Sequence, residues 1–202
     1  MVRLVAVGNC VLDTILSVPG FPAEDDKIRA SAVAKRRGGN CPNTIDVLQQ
    51  LCSVNSKTKL TIDLSLAVVL PKRSSSAVQE IHRSFGSGAV LKDSIYRDEH
   101  VEPSSSYIIK NLASDSRTII SYNAMPAMRF DEFIKIAERL GKEALWYHFE
   151  GRIPNVTLDY IRYLRESVPG VMDNPNVIDN ESYHFTSAER PKNLIRCLIA
   201  RK

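Results

Sequence analysis

A pair of glycines followed by polar amides is the part of the sequence best suited to chemistry. Gly38 and Gly39 let the backbone approach a ligand closely, while Asn40 and Asn43 carry amides that both donate and accept hydrogen bonds. Apolar residues at positions 45, 48 and 51 then follow with helical spacing, and Asn43 is expected to cap that helix. This pattern is typical of a loop that binds an anion or a polyol, and equally of an ordinary glycine turn before a helix.

Acidic residues follow two of the predicted strands. Asp13 comes after a short apolar run near the N-terminus, and Glu150, with Arg152 two residues further on, follows an apolar run over 144–149. A carboxylate at the end of a buried strand needs a partner or a function, although a turn aspartate or a surface ion pair would also fit. Ligands of doubly wound sheets bind at the carboxyl ends of strands. We therefore expect Asp13, the Gly38–Gly39 turn and Glu150 to share one edge of a sheet.

The order of predicted elements indicates the fold class. Strands and helices alternate, which is typical of an α/β domain with a mainly parallel sheet. Extended pieces at 27–34 and 105–122 interrupt the alternation and are expected to form a separate small sheet. The second piece is a hairpin, with Arg117 where its return strand begins. No stable period is present from position 171, so residues 171–202 are predicted to be an atypical tail.

Composition narrows the class of protein. The 202 residues carry a net charge of +4, and no stripe of alternating basic and aromatic residues suggests a nucleic-acid partner. No apolar run approaches the length of a membrane helix, and no signal peptide is recognisable. The four cysteines include no CxxC pair, which favours reduced thiols. We expect a cytoplasmic protein that does not bind membranes or nucleic acid.

Several short motifs, taken together and in their order, resemble the PfkB, or ribokinase-like, family of carbohydrate kinases, and the ketohexokinases most closely. The motifs are Val11–Asp13, Glu24–Asp25, Ile28–Arg29, Arg37–Asn40 with Asn43, Ser116–Ile119 and Phe149–Arg152. The resemblance implies a doubly wound α/β domain with a small β lid, covering residues 1–170 as a partial PfkB domain. It also implies ATP- and Mg²⁺-dependent phosphorylation of a hydroxyl on fructose or a similar sugar.

The resemblance also assigns roles to individual residues. The residues it places around the sugar are Asp13, Asp25, Gly38, Gly39, Asn40, Asn43 and Arg117, with Arg117 also facing the transferred phosphoryl group. The residues it places near the phosphates or the metal are Glu150, Arg152 and Glu189. Directional hydrogen bonds to carboxylates and amides suit a polyol, and a guanidinium suits phosphoryl oxygens. The lid is a candidate surface for a homodimer.

One family signature is absent from the sequence. The family carries a Gly-Ala-Gly-Asp turn, whose aspartate is the general base and whose glycine amides hold the transferred phosphoryl group. Here the only glycine after position 151 is Gly170. No catalytic residue or metal ligand is therefore assigned. We expect a truncated form that lacks the C-terminal part of the fold and binds ATP poorly by itself; the alternative is a non-catalytic, sugar-binding pseudokinase or a regulatory fragment.

Overall fold

The computed structural model describes residues 2–54, 62–86, 88–141, 144–151, 154–168 and 199–201. In these residues the strands are β1 (Val2–Val7), β2 (Val11–Val18), β3 (Ala32–Gly38), β4 (Ile62–Ala67), β5 (Val69–Pro71), β6 (Ile95–Arg97), β7 (Ser105–Asn111), β8 (Arg117–Tyr122), β9 (Ala144–Phe149) and β10 (Ile199–Arg201). The helices are α1 (Asn40–Val54), α2 (Ser76–Ser84), α3 (Phe130–Leu140) and α4 (Pro154–Ser167), with a 3₁₀ turn at Gly88–Leu91.

The main sheet has the strand order β10-β9-β1-β4 and is mainly parallel. Strands β4 and β9 both pair with β1 in parallel, and β10 adds an antiparallel strand beyond β9. Helix α1 packs against one face, where Ile45 joins Ala6 and Leu66 in a buried cluster. Helices α3 and α4 cover the other face, where Phe133 is fully buried. The predicted doubly wound α/β class is confirmed, since helices cover both faces of a mainly parallel sheet.

Aromatic packing holds the α3 and α4 layer together and fixes the loop before α3. The ring of Phe133 stacks on that of Tyr160 with centroids 4.2 Å apart, and the centroid of the Phe149 ring lies 5.9 Å from that of Phe133. The Tyr160 hydroxyl donates to the Met128 carbonyl at 2.8 Å, and burial raises the pKa of Tyr160 to about 12. Arg97 also donates to the Ala127 carbonyl, at 3.3 Å. The backbone of loop 123–128 is therefore anchored at two consecutive carbonyls.

A second sheet, the lid sheet, has the strand order β3-β2-β7-β8. The prediction of an extended piece at 27–34 is wrong at its start, because the strand occupies Ala32–Gly38. The reason is the length of its partner: β2 ends at Val18, and the last pair of the ladder joins Ser17 to Ala32. Residues 27–30 therefore have no strand opposite them. The predicted hairpin at 105–122 forms β7 and β8, which pair antiparallel.

Two further predictions concern the ends of elements. Helix α1 begins at Asn40, so Asn43 lies in its first turn and does not cap it; the Asn43 N–H already donates to the Gly39 carbonyl at 3.0 Å. The predicted tail at 171–202 lies outside the described residues apart from Ile199–Arg201, which form β10. No helix in the described ranges combines the length and apolar character needed to cross a membrane.

Candidate functional site

The Glu150 carboxylate connects three chain segments at the carboxyl edge of the main sheet. Glu150 follows β9, and its N–H donates to the Val7 carbonyl at the end of β1 at 3.0 Å. Its Oε2 accepts the Asn9 N–H at 2.9 Å, and its Oε1 accepts the Asn40 side-chain amide at 3.2 Å. The strand ends and the start of α1 therefore meet at one acidic group. The sequence predicts this meeting of Glu150 with the glycine turn, and the structure brings the two together.

The glycine turn fits against the backbone that follows β1. Gly39 has a φ of +105°, a region that residues with a side chain rarely adopt. A Cβ built on Gly39 would lie 2.2 Å from the Asn9 carbonyl oxygen. Gly38 lies against the carboxylate of Asp13, because a Cβ there would come within 2.7 Å of Asp13 Oδ2. Gly39 is therefore required by its φ and by a backbone contact, whereas a side chain at Gly38 would displace a candidate ligand-binding carboxylate.

Asp13 reaches this edge from the lid sheet. It lies within β2 and is 8% exposed, so the prediction that it ends a strand of the main sheet is wrong. It still comes close to the glycine turn because β2 begins at Val11, shortly after β1 ends at Val7. Arg36, directly opposite on β3, donates from Nε to Asp13 Oδ2 at 3.2 Å. Asp13 Oδ1 takes no part in the hydrogen bonds of the described residues, which leaves it available to a ligand.

The other predicted sugar-site residues are not tied to this cluster. Asn43 is exposed in the first turn of α1, and Asp25 is exposed with a φ of +63°. Arg117, at the start of β8, lies on the same face of the lid sheet as Asp13. In the strand register, Arg117 lies four residues along the sheet from Asp13 and two strands away from it. These offsets correspond to about 13 Å along the strands and about 10 Å across them. Neither Asp25 nor Arg117 forms a side-chain hydrogen bond or ion pair with another described residue.

The predicted phosphate- and metal-proximal residues are only partly described. Glu150 lies in the cluster above, whereas Arg152 and Glu189 lie outside the described residues. Within the ranges that the structure describes, no group of three or more histidine, cysteine, aspartate or glutamate side chains could hold a metal ion.

Titratable groups next to the cluster are held neutral. Cys10, between β1 and β2, is fully buried, and burial raises the pKa of its thiol to about 12. His148, two residues before Glu150, is 8% exposed, and burial lowers the pKa of its imidazole. The thiol is therefore not a nucleophile at neutral pH, because the thiolate is the reactive form. The charge at this edge comes from the carboxylates and arginines.

Three polar residues at the junction of the two sheets were missed from the sequence. The Ser104 hydroxyl, 3% exposed, shares its one hydrogen between Asn123 Oδ1 at 3.0 Å and Asn9 Oδ1 at 3.4 Å. The Ser104 carbonyl accepts the Leu12 N–H at 2.9 Å. Each of the three lies next to the end of a lid-sheet strand: Asn9 shortly before β2, Ser104 directly before β7 and Asn123 directly after β8. Only that position distinguishes them, since none belongs to a motif or follows a period.

A cavity of about 230 Å³ opens on the α3 and α4 side of the same edge. Its polar lining residues are Asn9, Ser104, Asn123, Glu150 and Thr157. Its apolar lining residues include Met125, Met128, Phe149, Val156 and Tyr160. Glu150 belongs both to the lining and to the cluster around the glycine turn, so the cavity and the cluster are neighbours that share one carboxylate.

Comparisons with known proteins define the fold. No protein-family model matches the chain. Among solved structures, it is similar to 2-dehydro-3-deoxygluconokinase from Thermotoga maritima, with 14% identity over 82% of this chain and 48% of that one and a TM-score of 0.55. It is similar to the nucleoside kinase of Methanocaldococcus jannaschii, an archaeal member of the ribokinase family, with 15% identity over 81% of this chain and 58% of that one and a TM-score of 0.52.

A third similar structure is that of Arabidopsis thaliana ribokinase complexed with ribose and ATP, with 18% identity over 68% of this chain and 43% of that one and a TM-score of 0.50. The chain thus has a ribokinase-like fold. It spans 43% to 58% of the length of these three solved structures.

Proposed function

We propose that the chain is part of a carbohydrate kinase of the ketohexokinase type and that the cluster at the sheet edge binds the sugar. The observation that carries this proposal is the convergence of Asp13, the Gly38–Gly39 turn, Asn40 and Glu150 at the carboxyl ends of parallel strands. The ribokinase-like fold supports it, because the solved structures similar to this chain include kinases of sugars and nucleosides.

The chemistry of the cluster suits a polyhydroxy ligand. Sugar hydroxyls donate to carboxylates and accept from amides, and the cluster offers both types of group. Asp13 Oδ1 is free among the described residues. Its partner Arg36 has a side chain that is 60% exposed, so their ion pair contributes little and gives way readily to a ligand. Asn43 and Asp25, both exposed, would complete the site from α1 and from the loop after β2.

The proposed phosphoryl donor is ATP with Mg²⁺, as the family resemblance implies. The described residues do not fit a protein-held metal ion, since they contain no cluster of three metal-ligating side chains. The sequence also has no Gly-Ala-Gly-Asp turn to hold a phosphoryl group. Arg117, Glu150, Arg152 and Glu189 are proposed to lie near the phosphates, but no step of the transfer is assigned to them. A chain that binds sugar without transferring phosphate, as a pseudokinase or regulatory fragment does, is the alternative.

The Asp13→Ala variant tests the sugar site. Loss of a hydrogen bond to a charged group typically costs about 1.5–3 kcal/mol, so the affinity for sugar is expected to fall tenfold or more. The measurement is calorimetric titration of wild type and variant with fructose and ribose, after melting curves have shown that both are folded. Asp159→Ala, at an exposed position on α4, is the matched control and should bind as the wild type does. Equal affinity for Asp13→Ala and wild type would remove Asp13 from the site.

We also propose that the lid sheet pairs two copies of the chain. The supporting observation is a set of exposed apolar side chains on the face opposite Asp13, which strand register places together. They are Val33, Tyr107, Ile120 and Tyr122, which are 64%, 46%, 56% and 48% exposed. Grouped apolar side chains of this kind mark interaction surfaces.

Sedimentation velocity tests this pairing. The wild type is expected to sediment as a dimer, and the double change Tyr107→Ser with Ile120→Ser should convert it to a monomer. The matched control changes Val101 and Leu112, which are also exposed apolar residues but do not lie on that face, to serine. A monomeric wild type, or a dimer that survives the changes at Tyr107 and Ile120, would contradict the proposal.

A further inference from the structure

The outer edge of β9 is covered by β10. The two strands pair antiparallel, with Ile199 opposite His148 and Arg201 opposite Trp146. The other edge of β9 pairs with β1 in parallel, so β10 is the last described strand of the main sheet on this side. Without β10, the N–H and C=O groups along the outer edge of β9 would be open to pairing with a strand of another chain.

Strand β9 differs in charge from the strands at the other edges of the two four-stranded sheets. Among the described residues those edge strands are β3, β4 and β8. Each carries charge: Lys35, Arg36 and Arg37 in β3, Asp63 in β4 and Arg117 in β8. Strand β9 contains no acidic or basic residue except His148, and burial lowers the pKa of that imidazole, which keeps it neutral. Charged residues discourage pairing between sheet edges, so β9 lacks a protection that the other edges have.

The sequence of β9 favours pairing with a copy of itself. Its six residues include Trp146, Tyr147 and Phe149 and contain no proline or glycine. Aromatic residues favour strands, and uncharged six-residue segments of high strand propensity pair with identical segments of other chains. Two of these aromatic residues lie in the part of β9 that β10 covers, which is 146–148. An uncovered β9 would therefore offer a pairing surface to a second copy of the chain.

Strand β10 has the properties of an edge that does not pair further. It is only three residues long, and its last residue, Arg201, is followed by Lys202. Very short strands and positive charges are two means by which proteins keep the edges of sheets from pairing. Strand β10 thus covers β9 and is itself a poor template for another strand.

We propose that β10 is a protective strand, which keeps the outer edge of β9 from pairing with the β9 of a second copy. When β10 is displaced, two copies pair through the backbone of β9 and their main sheets join. This surface is separate from the apolar face proposed for pairing through the lid sheet, because β9 belongs to the main sheet. The inference does not depend on the proposed sugar site.

The variant that tests this proposal carries Ile199→Pro and Ala200→Pro. The N–H groups of successive residues in a strand point to opposite sides, so one of the two prolines removes a donor to β9. The matched control carries Ile199→Thr and Ala200→Thr, since threonine suits a strand. Both variants are made in the chain with Tyr107→Ser and Ile120→Ser, so that pairing through the lid sheet does not contribute.

The measurements are amide hydrogen exchange of β9, with α3 as the internal reference, and sedimentation velocity over a range of protein concentrations. At low concentration, β9 of the proline variant is expected to exchange about tenfold faster or more than in the threonine control, while α3 exchanges equally in both. At high concentration, the proline variant should form oligomers and β9 should regain its protection. The threonine control should keep its protection and its sedimentation coefficient throughout.

Three results would overturn the proposal. Equal exchange of β9 in the two variants would show that β10 does not cover that edge. A proline variant that stays monomeric, or that forms oligomers without regaining protection in β9, would show that the edge is not a pairing surface. Deletion of residues 199–202 repeats the test without introducing proline. If α3 loses protection in both the deletion and the proline variant, β10 is an essential part of the fold and not a displaceable strand.

Discussion

Replacing Gly39 by alanine is expected to destabilise the fold by about 2–6 kcal/mol, a large part of the total stability of a typical domain. Two separate costs contribute. An alanine at a φ of +105° is strained, at about 1–3 kcal/mol. Its Cβ would also lie 2.2 Å from the Asn9 carbonyl oxygen, so the backbone after β1 would have to move, at about 1–3 kcal/mol for overpacking. That movement would pull the Asn9 N–H from Glu150, so ligand affinity should fall as well.

Urea denaturation of matched glycine variants separates the two costs. Gly86→Ala is the control for backbone strain alone, because Gly86 has a φ of +66° and an added Cβ would meet no atom within 4 Å beyond its chain neighbours. Gly20→Ala has neither feature and should stay within about 0.5 kcal/mol of wild type. We expect the loss of stability to rank Gly39→Ala above Gly86→Ala above Gly20→Ala. A Gly39→Ala variant as stable as Gly86→Ala would show that the contact with Asn9 is not rigid.

The parts of the fold that were predictable are those with a strong local period. Helix α3 occupies the predicted range 130–140, because its apolar residues recur at helical spacing and Gly141 ends it. Strand β9 likewise occupies the predicted range 144–149, an apolar run just before Glu150. Their alternation along the chain was enough to indicate the α/β class. The position of Glu150 near the glycine turn followed from the general rule that the ends of parallel strands share an edge.

The assignment of Asp13 to a sheet could not be made in this way. Strands β1 and β2 are both short runs of apolar residues. Such a run predicts that a strand forms, but it does not indicate which sheet the strand joins. Strand β2 belongs to the lid sheet because it pairs with β7. The first pair of residues in that ladder joins Leu12 to Ser105. A contact over that sequence separation leaves no local pattern. The same holds for Ser104, Asn9 and Asn123, which are single polar residues brought together only because the lid-sheet strands next to them pair with one another.

For a related reason, some of the predicted ligand-binding residues lie together in the structure and others lie apart. Gly38, Gly39 and Asn40 form one continuous segment, so their proximity was certain once the turn was recognised. Arg117 and Asp25 entered the set through resemblance, and their distance from Asp13 depends on strand register and on an irregular loop. Register is fixed by the pairing of whole strands, not by the residue itself. The structure accordingly leaves the placement of both residues near a bound sugar as a proposal.

The largest effect that we expect is on catalysis: the 202-residue chain alone should phosphorylate sugar at a rate near background. Phosphoryl transfer depends on positioning the donor and acceptor and on neutralising charge on the moving group. The cluster at Asp13 and Glu150 is proposed to bind the acceptor. For the donor, the sequence has neither a Gly-Ala-Gly-Asp turn nor a glycine-rich loop ending in lysine.

The expected loss follows from the two missing functions. The lack of a general base removes a factor of about 10²–10⁴, and the lack of an anion cradle removes about 10²–10³ more. Asp13 is a poor substitute base, because the site proposed for it is around the sugar hydroxyls and nothing among the described residues would hold the transferred phosphoryl group in line. Together the two losses bring turnover from a typical kinase rate of about 1–100 s⁻¹ to the limit of detection.

The measurement is a coupled assay of ADP release with purified chain, ATP, Mg²⁺ and fructose or ribose. Turnover within tenfold of a typical kinase, abolished by Asp13→Ala or Arg117→Ala, would show that the chain assembles a donor site by other means. Turnover that neither change affects would identify a contaminating kinase and leave the prediction intact. If the gene encodes a longer product that continues past residue 202 into a Gly-Ala-Gly-Asp segment, that product should be active. Its activity should then depend on Asp13, because the proposed sugar site includes that residue.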